Sequence, residues 1–232
     1  MEWAPPPDPG YVPNSTRDIA LYKGKLYALA DNGELHVLEA GDKHITSVCC
    51  IRKIPRPVGH VHVQRWHDPY ATDTYTQRHY LVVSGNQLLW VKRRINLPPI
   101  LPKDNGIESR TYQFHVFEAA DLGGGFGRWR EVDTLMGRAL FVSQGCSESV
   151  SAAAGDQSGS STRVRQDCIY FVSHDVFTKS FLKRIREDPF LDSGVYNMRD
   201  HTVSPLPLEK SAASALAARD GPWPPTWLFL ET

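Results

Sequence analysis

"DIALYKGKLYALADNGELHVLEAG", residues 18–41, is the stretch on which the fold turns. Apolar and polar residues alternate on both sides of Asn32-Gly33, which sends successive side chains to opposite faces of an extended chain. Asn-Gly tolerates the positive φ angles of a tight turn, so the stretch reads as two antiparallel strands joined at residues 32–33. The pattern then recurs. "IALYKG" ends at Gly24, "YLVVSG" at Gly85 and "ALFVSQG" at Gly145, at intervals of 61 and 60 residues. A recurrence of this kind marks an internal repeat.

Each repeat reads as four strands. The first uses residues 18–23, 25–30, 34–39 and 45–54; the second 79–84, 87–93, 111–118 and 128–134. The third uses "ALFVSQ", "CIYFVS", "GVYNMR" and "TVSPLP". Such units, with aromatics near strand ends and little helix, predict an all-β chain: an incomplete β-propeller of about three four-stranded antiparallel blades. The blades are expected at about 18–56, 79–135 and 139–208, after a Pro-rich segment (1–17) and before a closing strand at 222–230. A unit of this length exceeds the roughly 40–50 residues of common blades, and the surplus lies in long loops. "SAAAGDQSGSSTRVRQ" has almost nothing apolar to bury and reads as a spacer. One short helix is expected in "KSFLKRIRE", with Phe181, Leu182 and Ile185 on one side and Lys179, Lys183, Arg184 and Arg186 on the other. It is a solvated surface helix or a basic face for an acidic partner.

Composition narrows the function classes. The 232 residues hold 26 Lys and Arg against 26 Asp and Glu, so no net field draws the chain to nucleic acid or an anionic membrane. Apolar residues make up 41%, enough for a core. Cys49, Cys50, Cys146 and Cys168 lack the CxxC spacing of a zinc site; they read as reduced thiols of an intracellular protein, in the cytoplasm or nucleus. Adjacent Cys49 and Cys50 point to opposite faces of one strand. The N-terminus lacks the basic segment and apolar core of a signal peptide, and no run approaches the ~20 apolar residues of a membrane span.

Several constellations invite a chemical reading. "DLGGGFGRWREV", 121–132, has four glycines in five positions, but a phosphate loop needs a helix after it, and "RWREVDTL" alternates like a strand. The glycines therefore connect two strands. "SHD" at 173–175 has the letters of a catalytic triad on residues that alternate in direction, and "GCSES" at 145–149 lacks the last glycine of a nucleophile elbow. Glu187 and Asp188 sit among basic neighbours and do not form an acid/base pair. "HVHVQRWH" places His60 and His62 on one strand face with His67 nearby, a spacing a metal can use, or simply histidines of a strand edge. Trp90, Trp129, Tyr27, Tyr170, Phe171 and Tyr196 read as packing between sheets. Trp66, His67 and Tyr70 differ because they lie in a loop, where aromatics serve as anchors for a partner or pin their own loop.

With the strands placed, "DIALYKGKLYAL", "YQFHVFEAADL", "WREVDTLMGRALFVSQGCSESVSA", "CIYFVSHD", "GVYNMRDHTVSPLP" and "PWPPTWLF" together resemble the plant DUF295 family. This is the kelch-like, KIB-type β-propeller domain often found in F-box proteins. The similarity runs from Asp18 to Phe229. It implies a propeller that recognises the substrate of a ubiquitin-ligase adaptor, the F-box docking to a Skp1-type subunit. Nothing before Asp18 resembles an F-box, so a Skp1-type partner is not expected and the chain corresponds to the C-terminal portion of such a protein.

The expected function is therefore non-enzymatic protein interaction, with no cofactor, no nucleic acid and no membrane partner. Two alternatives stay open: a metal-dependent or small-ligand-binding enzyme using His60, His62 and His67, and a truncated product without independent activity. Because propellers typically close with four to eight blades, three blades leave edges exposed, and self-association through those edges is expected.

Overall fold

A computed structural model of the 232-residue chain describes residues 15–40, 45–52, 75–96, 110–123, 126–152, 164–172, 192–206 and 227. These residues carry thirteen strands and no helix. The expected helix at 179–187 lies outside them. The strands form three sheets. In the first, β1 (Thr16–Tyr22), β2 (Lys25–Ala30), β3 (Leu35–Ala40) and β4 (Ile45–Ile51) run in sequence order with every neighbour antiparallel. The second contains β5 (Tyr75–Ser84), β6 (Gln87–Asn96), β7 (Arg110–Ala120) and β8 (Arg128–Val132), again in sequence order. The third comprises β9 (Arg138–Val142), β10 (Ser147–Ser151), β11 (Cys168–Phe171), β12 (Gly194–Asn197) and β13 (Thr202–Ser204). This is the all-β, incomplete-propeller class the alternation predicts.

The turns show why the repeat is legible and where its detail differs. Lys23 and Gly24, at φ 48° and 74°, make the two-residue turn with both central residues left-handed that suits twisted antiparallel strands. The Asn32-Gly33 turn is wider than a two-residue turn. Gly33 N donates to Ala30 O and Ala30 N to Glu34 O, both at 2.9 Å, and Gly33 (φ 81°), unlike Asn32, is left-handed. That is a three-residue loop: one ordinary turn followed by a left-handed glycine. The Gly-rich run joins β7 to β8, which pair antiparallel from Val116↔Val132 to Ala120↔Arg128, so a strand follows it, as expected.

The third sheet departs from the four-stranded pattern. Its order is β10-β9-β11-β12-β13, and β11 lies parallel to β9, Ile169 opposite Leu140. "CSESVS" supplies a fifth strand, β10, that the four-stranded reading of the third unit does not count. Once β10 folds back on one edge of β9, the chain returns to its other edge, and residues 152–167 are long enough for the crossover a parallel pair requires.

The described strands fall into two compact units. One holds the first sheet with residues 79–91 and 115–132 of the second. Its core gathers Tyr22, Tyr27, Leu29, Leu35, Ile51, Leu88, Trp90, Phe117 and Trp129. The Trp90 ring lies 5.2 Å from those of both Phe117 and Trp129. Burying one such side chain is worth roughly 2–3 kcal/mol. Trp129 Nε1 also donates to Gly33 O at 2.9 Å, and Leu81 N donates to the Asp18 carboxylate at 2.7 Å. The Tyr22 hydroxyl is hydrogen-bonded to Asn86 O.

The other unit holds the third sheet with residues 75–78, 92–96 and 110–114 of the second. Phe141 stacks on Tyr170 with centroids 4.6 Å apart, and Trp227 meets Phe141 edge-on while its Nε1 donates to Val142 O at 3.1 Å. Phe114 packs on Phe171 and Tyr196. The strand aromatics singled out in the sequence are thus core residues.

Candidate functional site

His60, His62, Trp66, His67 and Tyr70 lie outside the described residues, as does the 173–175 tripeptide. Ser147 of "GCSES" opens β10, where a nucleophile elbow would need a helix. The described polar side chains that are most buried have evident structural work. Arg93, fully buried on β6, donates to Thr111 Oγ1 (2.6 Å), Val172 O (2.9 Å) and the Asp192 carboxylate (2.7 Å), and lies over the Phe171 ring. Asp167 accepts from Leu135 N, Thr134 Oγ1 and the Arg199 guanidinium at 2.7–2.9 Å, tying the turn before β9 to those before β11 and after β12. Burial alone would raise the Asp167 carboxyl, but the Leu135 N–H, Arg199 and Thr134 together hold it below the usual carboxylate range.

One polar group is different. His36, on β3, is 3% exposed, and neither ring nitrogen has a hydrogen-bond partner among the described residues. Glu34 lies two residues before it, hence on the same face, with its carboxylate 3.5 Å from His36 Nε2, too far for a good hydrogen bond. Cys49, on β4, is the cross-strand partner of His36. One ligand atom from each of the three lies within 4.8 Å of the others. This face is set by a bulge: Leu35 pairs with Ile51 but His36 with Cys49, so Cys50 is the extra residue. Cys50 joins the unit's core and its thiol points to Leu35 O, whereas Cys49 stays with His36. The two adjacent thiols therefore have different neighbours: that of Cys49 donates to Ile51 O at 3.6 Å and that of Cys50 to Leu35 O at 3.1 Å.

Burial disfavours the charged forms here. It lowers the His36 imidazole, a trend the Glu34 carboxylate opposes, and it raises the Cys49 thiol, a trend Arg52 opposes. The Cys50 thiol is pushed up to about 11, chiefly by burial. All four cysteines are free.

The sequence reading missed this cluster because it looked for ligands along one strand. The signal was there in part: an acid just before β3 and a histidine two residues on, within it. The third ligand is visible only once the register is known.

On the surface, β1 is an edge strand of the first sheet, and Ile19 and Leu21, on one face of it, are 55% and 70% exposed. The opposite edge, β4, exposes Ile45 and Val48.

Three sheets of mainly antiparallel strands, with cores rich in aromatic side chains, define a propeller-type β protein. The chain belongs to the KIB1-4 beta-propeller family, whose model matches residues 2–197. No match was found among curated proteins or among solved structures.

Proposed function

We propose that this chain is a non-enzymatic protein-interaction domain, related to the plant DUF295 propellers that recognise substrates for F-box ubiquitin-ligase adaptors, and that it works in the cytoplasm or nucleus. The observation that carries this reading is membership of the KIB1-4 beta-propeller family over residues 2–197. Two features support it. Arg93 and Asp167, the buried charged groups with the richest bonding, are engaged in holding strands and turns together. Large apolar side chains remain exposed on edge strands, a common feature of surfaces that take up another polypeptide.

Partner contact is assigned to the loop that carries Trp66, His67 and Tyr70, with self-association through the exposed strand edges as a second interaction. The test is affinity purification with the full chain and with a Trp66→Ala/Tyr70→Ala variant. A specific protein set that the wild type retains and the variant loses is the expected outcome. An unchanged set would remove the loop from the interface. Recovery of a Skp1-type subunit in that set would make the chain an adaptor in its own right.

A further inference from the structure

We propose that Glu34, His36 and Cys49 form a binding site for a single divalent transition-metal ion of the zinc type. The inference is independent of the interaction reading above. It starts from the orphaned imidazole. Buried polar groups in folded proteins are almost always hydrogen-bonded, yet at 3% exposure His36 Nδ1 has no partner among the described residues and Nε2 has only the Glu34 carboxylate at 3.5 Å. A metal ion gives Nε2 a close partner that it shares with the Glu34 carboxylate.

The donors converge as such an ion requires. The 3.5 Å between His36 Nε2 and the Glu34 carboxylate is close to the about 3.3 Å that separates nitrogen and oxygen ligands at ~2.0 Å bonds in a tetrahedral zinc site. Cys49 stands directly across from His36 in the β3–β4 ladder. All three ligand atoms lie within 4.8 Å of one another, so a small rotation of side chains completes the geometry. Thiolate and imidazole donors select zinc-like ions over magnesium or calcium. One carboxylate and one thiolate offset the two charges of the cation, and the Arg52 guanidinium beside Cys49 is one further positive charge at the site. The Glu34 side chain is 23% exposed, which leaves a path for the ion and room for water as the fourth ligand. Bound there, the ion clips β3 to β4 beside the bulge.

The experiment uses the full chain, stripped of metal with a chelator and titrated with cobalt(II), then with zinc. One equivalent of cobalt should bind with a thiolate-to-cobalt charge-transfer band, and zinc should displace it. Cys49→Ser should abolish the band, whereas Cys50→Ser, in the unit's core, should keep it. Glu34→Gln, at the partly exposed hairpin, leaves the fold intact and should weaken cobalt binding at least about tenfold. A variant lacking His60, His62 and His67 should bind as the wild type does. The proposal is overturned if no stoichiometric binding occurs, if the band survives Cys49→Ser, or if it disappears in Cys50→Ser or the triple histidine variant while far-ultraviolet circular dichroism remains that of the wild type.

Discussion

Gly33 carries two constraints at once. Its φ of 81° lies where a side chain strains the backbone, and a Cβ placed there would sit 2.6 Å from the Trp90 ring. Gly24 has nearly the same backbone, at φ 74°, with open space around the would-be Cβ. The pair separates conformation from packing. Gly24→Ala is expected to cost about 1–2 kcal/mol, the left-handed penalty alone. Gly33→Ala adds the overpacking of Trp90 and should cost about 2–4 kcal/mol. Urea unfolding of both variants measures the difference, and equal costs would mean that Trp90 yields freely. Asp167 gives a pH signature at the same scale. Its carboxyl is held below the unfolded value of about 3.9, so its stabilisation is present above that pH and lost as pH falls through the folded value. Asn tolerates the left-handed backbone that Asp167 adopts at φ 55°. Thermal melts of Asp167→Asn should therefore lie below the wild type near neutral pH and approach it below about pH 4. At this scale the sequence was legible where packing decides: Trp90, Trp129 and Tyr27 were placed in the core by alternation alone. It was illegible where three residues meet across strands, because the pairing of His36 with Cys49 depends on a bulge that no alternation reveals.

Among the elements, β6 shows how one side chain can bind several strands together. Arg93 bonds Thr111 on β7, Val172 at the end of β11 and Asp192 before β12. Arg93→Ala leaves the Asp192 carboxylate without its cation in a largely buried place, and this should destabilise the chain by about 3–5 kcal/mol in urea unfolding. A loss under 1 kcal/mol would mean that water replaces the guanidinium. Sequence alternation marks β6 as a strand but gives no hint of a buried arginine, since two of its three partners lie 79 and 99 residues away. Hairpins were the readable elements, for their strands and turns are neighbours in the chain. The parallel pairing of β9 with β11 was not, because nothing local distinguishes a strand that returns to one edge from a strand that returns to the other.

At the scale of the whole molecule, membership of a propeller family combined with exposed edge strands bears on how the chain behaves in solution. Ile19 and Leu21 stand on β1, whose outer backbone groups pair with no other strand of the first sheet. Sedimentation velocity of the full chain is expected to show species larger than a monomer. Ile19→Lys/Leu21→Lys, which puts charges on that edge, should raise the monomer fraction. A wild-type chain that sediments as a single monomeric species would count against the edge as an association surface.

The crossover in the third sheet carries a last consequence. Because β9 and β10 precede residues 152–167 and β11, β12 and β13 follow them, a peptide bond cleaved in that interval severs the polymer but not the ladder between Leu140 and Ile169. The two halves of the protein should remain associated after such a nick, and the same interval is a natural place to split the gene for fragment complementation.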